Sequence, residues 1–149
     1  MRELDEVREL RGILNSIEER KAELRHTMFS GVQTLSDMPR GGGEPKNAIE
    51  EYVIKAEKLD NRHRKYVSKI VRKWKALKER FEAAELTKAQ QDMLLNRFYY
   101  GYSWKRCVKE MEMAYPDVKW NEQKLFHMYR KILHKLTVKK SQNFVKIAN

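Results

Sequence analysis

Residues 87–136 read TKAQQDMLLNRFYYGYSWKRCVKEMEMAYPDVKWNEQKLFHMYRKILHKL, and their punctuation decides the fold. Thr87 is a good helix cap. From Lys88 to about Tyr100 the apolar residues Met93, Leu94, Leu95 and Phe98 fall at helical spacing, and Gly101 supplies a stop. Ser103 caps a second helix, Trp104 to about Met113, with Trp104, Cys107, Val108 and Met111 turned inward. Pro116 interrupts the helical pattern, and Asn121 caps a third helix, Glu122 to Leu136. Leu125, Tyr129, Ile132, Leu133 and Leu136 form the buried face of that helix. Its opposite face carries Gln123, Lys124, His127, Arg130, Lys131 and His134. The arrangement predicts a helix-turn-helix domain. Amide and cationic side chains on the outer face of its last helix suit the major groove, where Gln or Asn pairs with adenine and Arg or Lys with guanine or phosphate.

Upstream, the pattern is longer and simpler. Val7, Leu10, Leu14, Ile17, Leu24 and Met28 follow alternating three- and four-residue steps, with Lys21 occupying one seam position, where its long stem can snorkel. The same spacing returns in Ile49, Tyr52, Ala56, Leu59, His63, Tyr66, Ile70, Trp74, Leu77 and Phe81, in a helix expected from a cap at Asn47 to about Ala84, with Glu50 completing its capping box. Between the two lies Gly31 to Lys46 with the segment DMPRGGGEP, read as a Gly/Pro loop. It lacks the GK[ST] and the preceding strand of a phosphate loop. The expected organisation is all-α: residues 1–84 form a helical hairpin or coiled-coil arm with its loop at 31–46, and residues 85–149 form the helix-turn-helix domain with a basic tail. Pairing within one chain and pairing between two chains satisfy the same heptads.

Charge separates these parts. The chain of 149 residues carries a formal net charge of +11, yet residues 1–60 hold 10 Lys+Arg against 13 Asp+Glu, and residues 61–149 hold 22 against 8. A polyanion is the natural partner of the second half. Arg62, Lys65, Lys69, Arg72 and Lys73 line one flank of the second helix and could follow phosphates, a solvated face being the plainer alternative. The aromatic residues Phe98, Tyr99, Tyr100, Tyr102 and Trp104 are expected in the core, with Tyr99 or Tyr102 as exceptions open to base stacking. His63, alone on its seam, is assigned no chemistry.

Catalysis is not expected, because no Ser/His/Asp, Cys/His or paired-acid arrangement has a matching helical context. The lone Cys107 has no second cysteine for a disulfide and no histidine at zinc spacing, so no metal or cofactor is expected and a reducing cytoplasm fits. No apolar run reaches membrane-span length, and the opening MRELDEVREL lacks a signal peptide's apolar stretch.

The stretches LTKAQQDMLLNRFYYGYSWKRCVKEM and NEQKLFHMYRKILHKL resemble the promoter-reading carboxy-terminal domain of bacterial sigma factors. With the amino-terminal helix and the DMPRGGGEP linker, the chain is similar to phage-encoded transcriptional regulators of the RinA and ArpU kind. The resemblance implies a late-gene activator in a bacterial cytoplasm, acting on double-stranded DNA as a homo-oligomer, a dimer by expectation, with host RNA polymerase as a further partner. By position it places Asn121, Gln123, Lys124, His127 and Arg130 in the groove and Lys105, Arg106 and Lys109 on phosphates. One departure from the pattern is the segment MAYPDVKW, longer than the three- or four-residue turn of a typical helix-turn-helix. Two other readings are open: a small-terminase-like DNA-packaging subunit that assembles into rings, and a coiled-coil interaction protein whose positive charge serves an acidic protein partner or a membrane face.

Overall fold

The computed structural model describes the backbone of residues 1–37 and 45–148, and the side chains of 1–28 and 48–138. Every regular element among the described residues is helical: α1 (Arg2–Asp37), α2 (Pro45–Ala83), α3 (Lys88–Leu94) running into a π turn at Leu95–Tyr99, α4 (Trp104–Ala114) and α5 (Glu122–Ala148). The all-α expectation holds. Both long helices exceed their expected ends across the Gly/Pro segment. Helix α1 continues to Asp37, and α2 opens on Pro45, a residue suited to the first turn because its missing N–H would have no helical acceptor there. Asn47 therefore lies inside α2 rather than capping it, and its side chain is outside the described set, as is the remainder of the expected loop, residues 38–44.

Packing divides the chain into two compact units that do not follow the expected boundary at residue 84. One comprises residues 12–69, the other residues 1–11 with 70–149.

In the unit of residues 12–69, α1 and α2 pair antiparallel within the one chain. Leu14 and Ile17 are buried, whereas Lys21, Leu24 and Met28 on α1 and Tyr52, Ala56, Leu59, His63 and Tyr66 on α2 are only half-buried. Two helices alone cannot close their seam, since each flank stays open to water. Ile49, expected on the seam, is 49% exposed. Two polar contacts across the seam mark the register. Lys21 Nζ lies 2.6 Å from Asp60, and His63 Nε2 lies 3.4 Å from Glu18. The seam lysine thus ends on a carboxylate of the facing helix, and its hydrogen bond holds the Asp60 carboxyl below the usual range.

The other unit has a conventional core. Leu4 and Val7 of α1, Ile70, Leu77 and Phe81 of α2, Met93, Leu94 and Phe98, Cys107 and Met111 of α4, and Leu125, Ile132 and Leu136 of α5 are all buried. The three-helix domain thus shares its interior with the first turns of α1 and the last of α2, which is why no packing boundary falls at 84. Lys73 reaches Glu6 at 2.8 Å and Arg80 reaches Glu3 at 3.2 Å. Helix α2 ends in a Schellman motif: Leu86 N–H donates to the Phe81 carbonyl, Glu85 N–H donates to that of Glu82, and Glu85 takes the left-handed φ of 59°.

Candidate nucleic-acid interface

Three helix starts position the candidate site, and each uses the residue type its geometry demands. Thr87 Oγ1 accepts from Gln90 N–H at 3.2 Å while Gln90 Oε1 accepts from Thr87 N–H at 3.0 Å, a full capping box. Ser103 Oγ accepts from Arg106 N–H at 3.2 Å, and Asn121 Oδ1 accepts from Lys124 N–H at 2.8 Å. The helix expected to reach Tyr100 instead widens at Leu95–Tyr99, where Tyr100 N–H bonds to the Leu95 carbonyl at 3.0 Å. This wide turn keeps Phe98 in the core against Tyr129 while setting the Tyr99 ring against Trp74 at 5.4 Å. Gly101 follows with φ +71°, as the chain reversal requires, and a Cβ there would stand 2.8 Å from Arg11 Cγ. Arg11 fills that space because its guanidinium donates to the Tyr99 carbonyl and lies over the Tyr99 ring.

The long segment between α4 and α5 is anchored at both ends. Tyr115 donates its hydroxyl proton to Asp92 at 2.5 Å, and the bond pushes the Tyr115 phenol up to about 12. Trp120 is buried and its indole N–H donates to the Tyr115 carbonyl at 3.1 Å. Pro116, Asp117, Val118 and Lys119 lie between these anchors and are exposed. The additional residues thus bulge outward, leaving α4 and α5 packed on one another through the buried Cys107, Met111 and Leu125. Burial pushes the Cys107 thiol up to about 11, the behaviour of a small core residue.

On α5, Leu125, Ile132 and Leu136 hold the helix to the core. Gln123, Lys124, His127, Arg130, Lys131 and His134 are exposed on its other side. His127, Arg130, Lys131, His134 and Lys135 line one shallow groove with no carboxylate among them. The structure therefore brings His127 and Arg130 together and adds Lys135, which sequence reasoning missed although helical spacing sets it one turn beyond Lys131. Lys135 Nζ lies 3.5 Å from Gln90 Oε1.

The remaining expected site residues differ in freedom. Gln123, Lys105 and Lys109 are exposed and have no side-chain bond to another described residue. Asn121 has its carbonyl oxygen engaged by the cap, which orients the amide toward the α5 backbone rather than outward. Lys124 turns back to the Lys119 carbonyl at 3.3 Å and over the Trp120 ring at 4.9 Å. Arg106 stacks 3.8 Å from the centre of Tyr102 and lies 3.8 Å from Glu110. Among the aromatic residues, Phe98 is buried, Tyr99, Tyr102 and Trp104 are half-buried, and Tyr100, at 42%, is the exposed one.

Among the described residues no helix is long and apolar enough to cross a membrane, and no three His, Cys, Asp or Glu side chains gather as metal ligands would. Compared with family models, with curated proteins and with solved structures, the chain matches none.

Proposed function

We propose that this chain is a double-stranded DNA-binding transcriptional regulator that lays the exposed face of α5 in the major groove. The observation that carries the reading is the carboxylate-free face of His127, Arg130, Lys131, His134 and Lys135, fixed to a core by Leu125, Ile132 and Leu136. A rigid helix with one apolar side and one side of cations and amides is what groove recognition requires. Gln123 is the base reader in this scheme, being exposed and unbonded in the first turn of α5, and His127 and Arg130 follow it along the same face. Lys105 and Lys109 supply phosphate contacts from α4. Asn121 serves the helix cap. The sigma-like pattern of residues 86–136 supports promoter DNA as the target.

The test is a selection of the purified protein against random duplex DNA at several salt concentrations, with the mass of the complex measured in parallel. An enriched motif is expected, with Gln123→Ala costing about 1–3 kcal/mol at one base position and little elsewhere. Unselective binding that vanishes by moderate salt, or a Gln123→Ala loss that is equal on all sequences, would sink the reading.

A further inference from the structure

We infer that the groove between α1 and α2 in the unit of residues 12–69 is a docking site for an acidic amphipathic helix of another protein. The groove has a volume of about 610 Å³ and is lined by Arg20, Glu23, Leu24 and Thr27 of α1 and by Lys55, Lys58, Leu59 and Arg62 of α2. Its floor is apolar: Leu24 and Leu59, both seam residues, are only half-buried by the helix pair. Its rim is cationic. Arg20, Lys55, Lys58 and Arg62 are exposed, and none pairs with a carboxylate among the described residues, while Glu23 is the one acid in the lining. Two acids of the same helix pair face elsewhere, Asp60 toward Lys21 and Glu18 toward His63.

A third helix is the element that completes such a seam. Arg20 to Thr27 on one wall and Lys55 to Arg62 on the other each span eight residues, about 10 Å of helix, which matches a partner segment of about two turns. Apolar residues at three- and four-residue spacing would meet Leu24 and Leu59, and Glu or Asp beside them would meet the rim. A second copy of this chain is disfavoured, because a two-fold axis through the groove would set the four cations of one copy against the same four of the other. Duplex DNA is disfavoured because its phosphates would meet only the rim cations and leave the leucines open to water. The inference stands independently of the DNA reading of α5.

The experiment uses the full chain and three labelled 18-residue peptides in fluorescence anisotropy at 0.15 M salt. The first carries Leu at three- and four-residue spacing among Glu; the second is its scrambled isomer; the third has Lys in place of Glu. The first is expected to bind at least tenfold more tightly than the other two. Lys55→Glu, Lys58→Glu and Arg62→Glu together, all at exposed positions, are expected to abolish that binding and to confer binding of the Lys peptide. Leu59→Ser, with the fold checked by thermal melting, is expected to weaken it at least fivefold. Equal affinity for the scrambled isomer, or binding of the first peptide unchanged by the triple reversal, would overturn the proposal. So would a random duplex that displaces the peptide from the wild type and loses affinity in the reversal variant, which would assign the rim to DNA.

Discussion

Replacing Lys105 and Lys109 with alanine should change how DNA binding depends on salt more than it changes anything about the fold. Both side chains are exposed on α4, one turn apart, and neither bonds to another described residue, so their loss removes no packing. Each phosphate neutralised by a lysine contributes about 0.9 to the slope of log K against log salt, so the double variant should lower the slope by about 1.8. Between 50 and 200 mM salt the wild type should then lose about twelvefold more affinity than the variant. Arg106 should behave differently. Its guanidinium stacks on Tyr102 and lies 3.8 Å from Glu110, so part of its field is already answered, and Arg106→Ala should move the slope by less than either lysine does. The assay is a titration of labelled duplex at four salt concentrations, repeated on two unrelated sequences to separate phosphate from base contacts. A double variant whose slope equals that of the wild type would refute the placement of α4 against the DNA backbone.

Further outcomes follow from the packing. Tyr115→Phe should cost about 1 kcal/mol in denaturant unfolding, since a bond to a charged acceptor is worth about 1.5–3 kcal/mol and this one is partly exposed. The phenol is raised to about 12, so its stabilisation is complete below the ordinary tyrosine value near 10, and the gap between wild type and Tyr115→Phe should close as pH rises from 10 to 12. Glu85→Gly should raise the free energy of unfolding by about 0.5–1 kcal/mol in denaturant titration, because glycine adopts the φ of 59° without a Cβ clash. Cys107, fully buried and with its thiol raised to about 11, should react with a thiol reagent at pH 8 at least about a hundredfold more slowly in the native protein than in denaturant; comparable rates would contradict its burial.

The fold was legible where local chemistry determines it. Thr87, Ser103 and Asn121 each cap the helix they precede, because a short oxygen-bearing side chain before an apolar-periodic run has few competing uses. The division into units was not legible. The three-four spacing of α2 runs without interruption from Tyr52 through Phe81, so nothing in it marks residue 70, where the helix begins to share a core with Leu4 and Val7. Nor does the π turn leave a trace, since lengthening one turn by a residue keeps Leu94 and Phe98 on the list of apolar positions and alters only where Tyr99 points. Lys21 was legible only as a snorkelling stem on the seam, because its partner, Asp60, lies 39 positions away in the sequence, and pairing at that distance depends on a register that spacing leaves undetermined.

At the candidate site the sequence offered more donors than the structure leaves free, and the difference has a physical cause. Asn121 suits two tasks, capping α5 and reading adenine, and both require the same carbonyl oxygen. The cap satisfies a backbone N–H that would otherwise have no protein partner, whether or not DNA is bound, so it takes precedence. Lys124 and Arg106 are likewise engaged, over Trp120 and Tyr102, because a cation beside an aromatic ring gains by lying over its face. In the proposed DNA-binding reading, base discrimination falls to the residues with nothing nearby to bond, Gln123 first, then His127 and Arg130. That ordering implies a definite contrast. Asn121→Ser, which keeps a cap, should leave base preference intact, whereas Gln123→Ala should relax it at one position while unfolding stability stays within about 0.5 kcal/mol of the wild type. Loss of preference in the first variant and retention in the second would reverse the assignment of cap and reader.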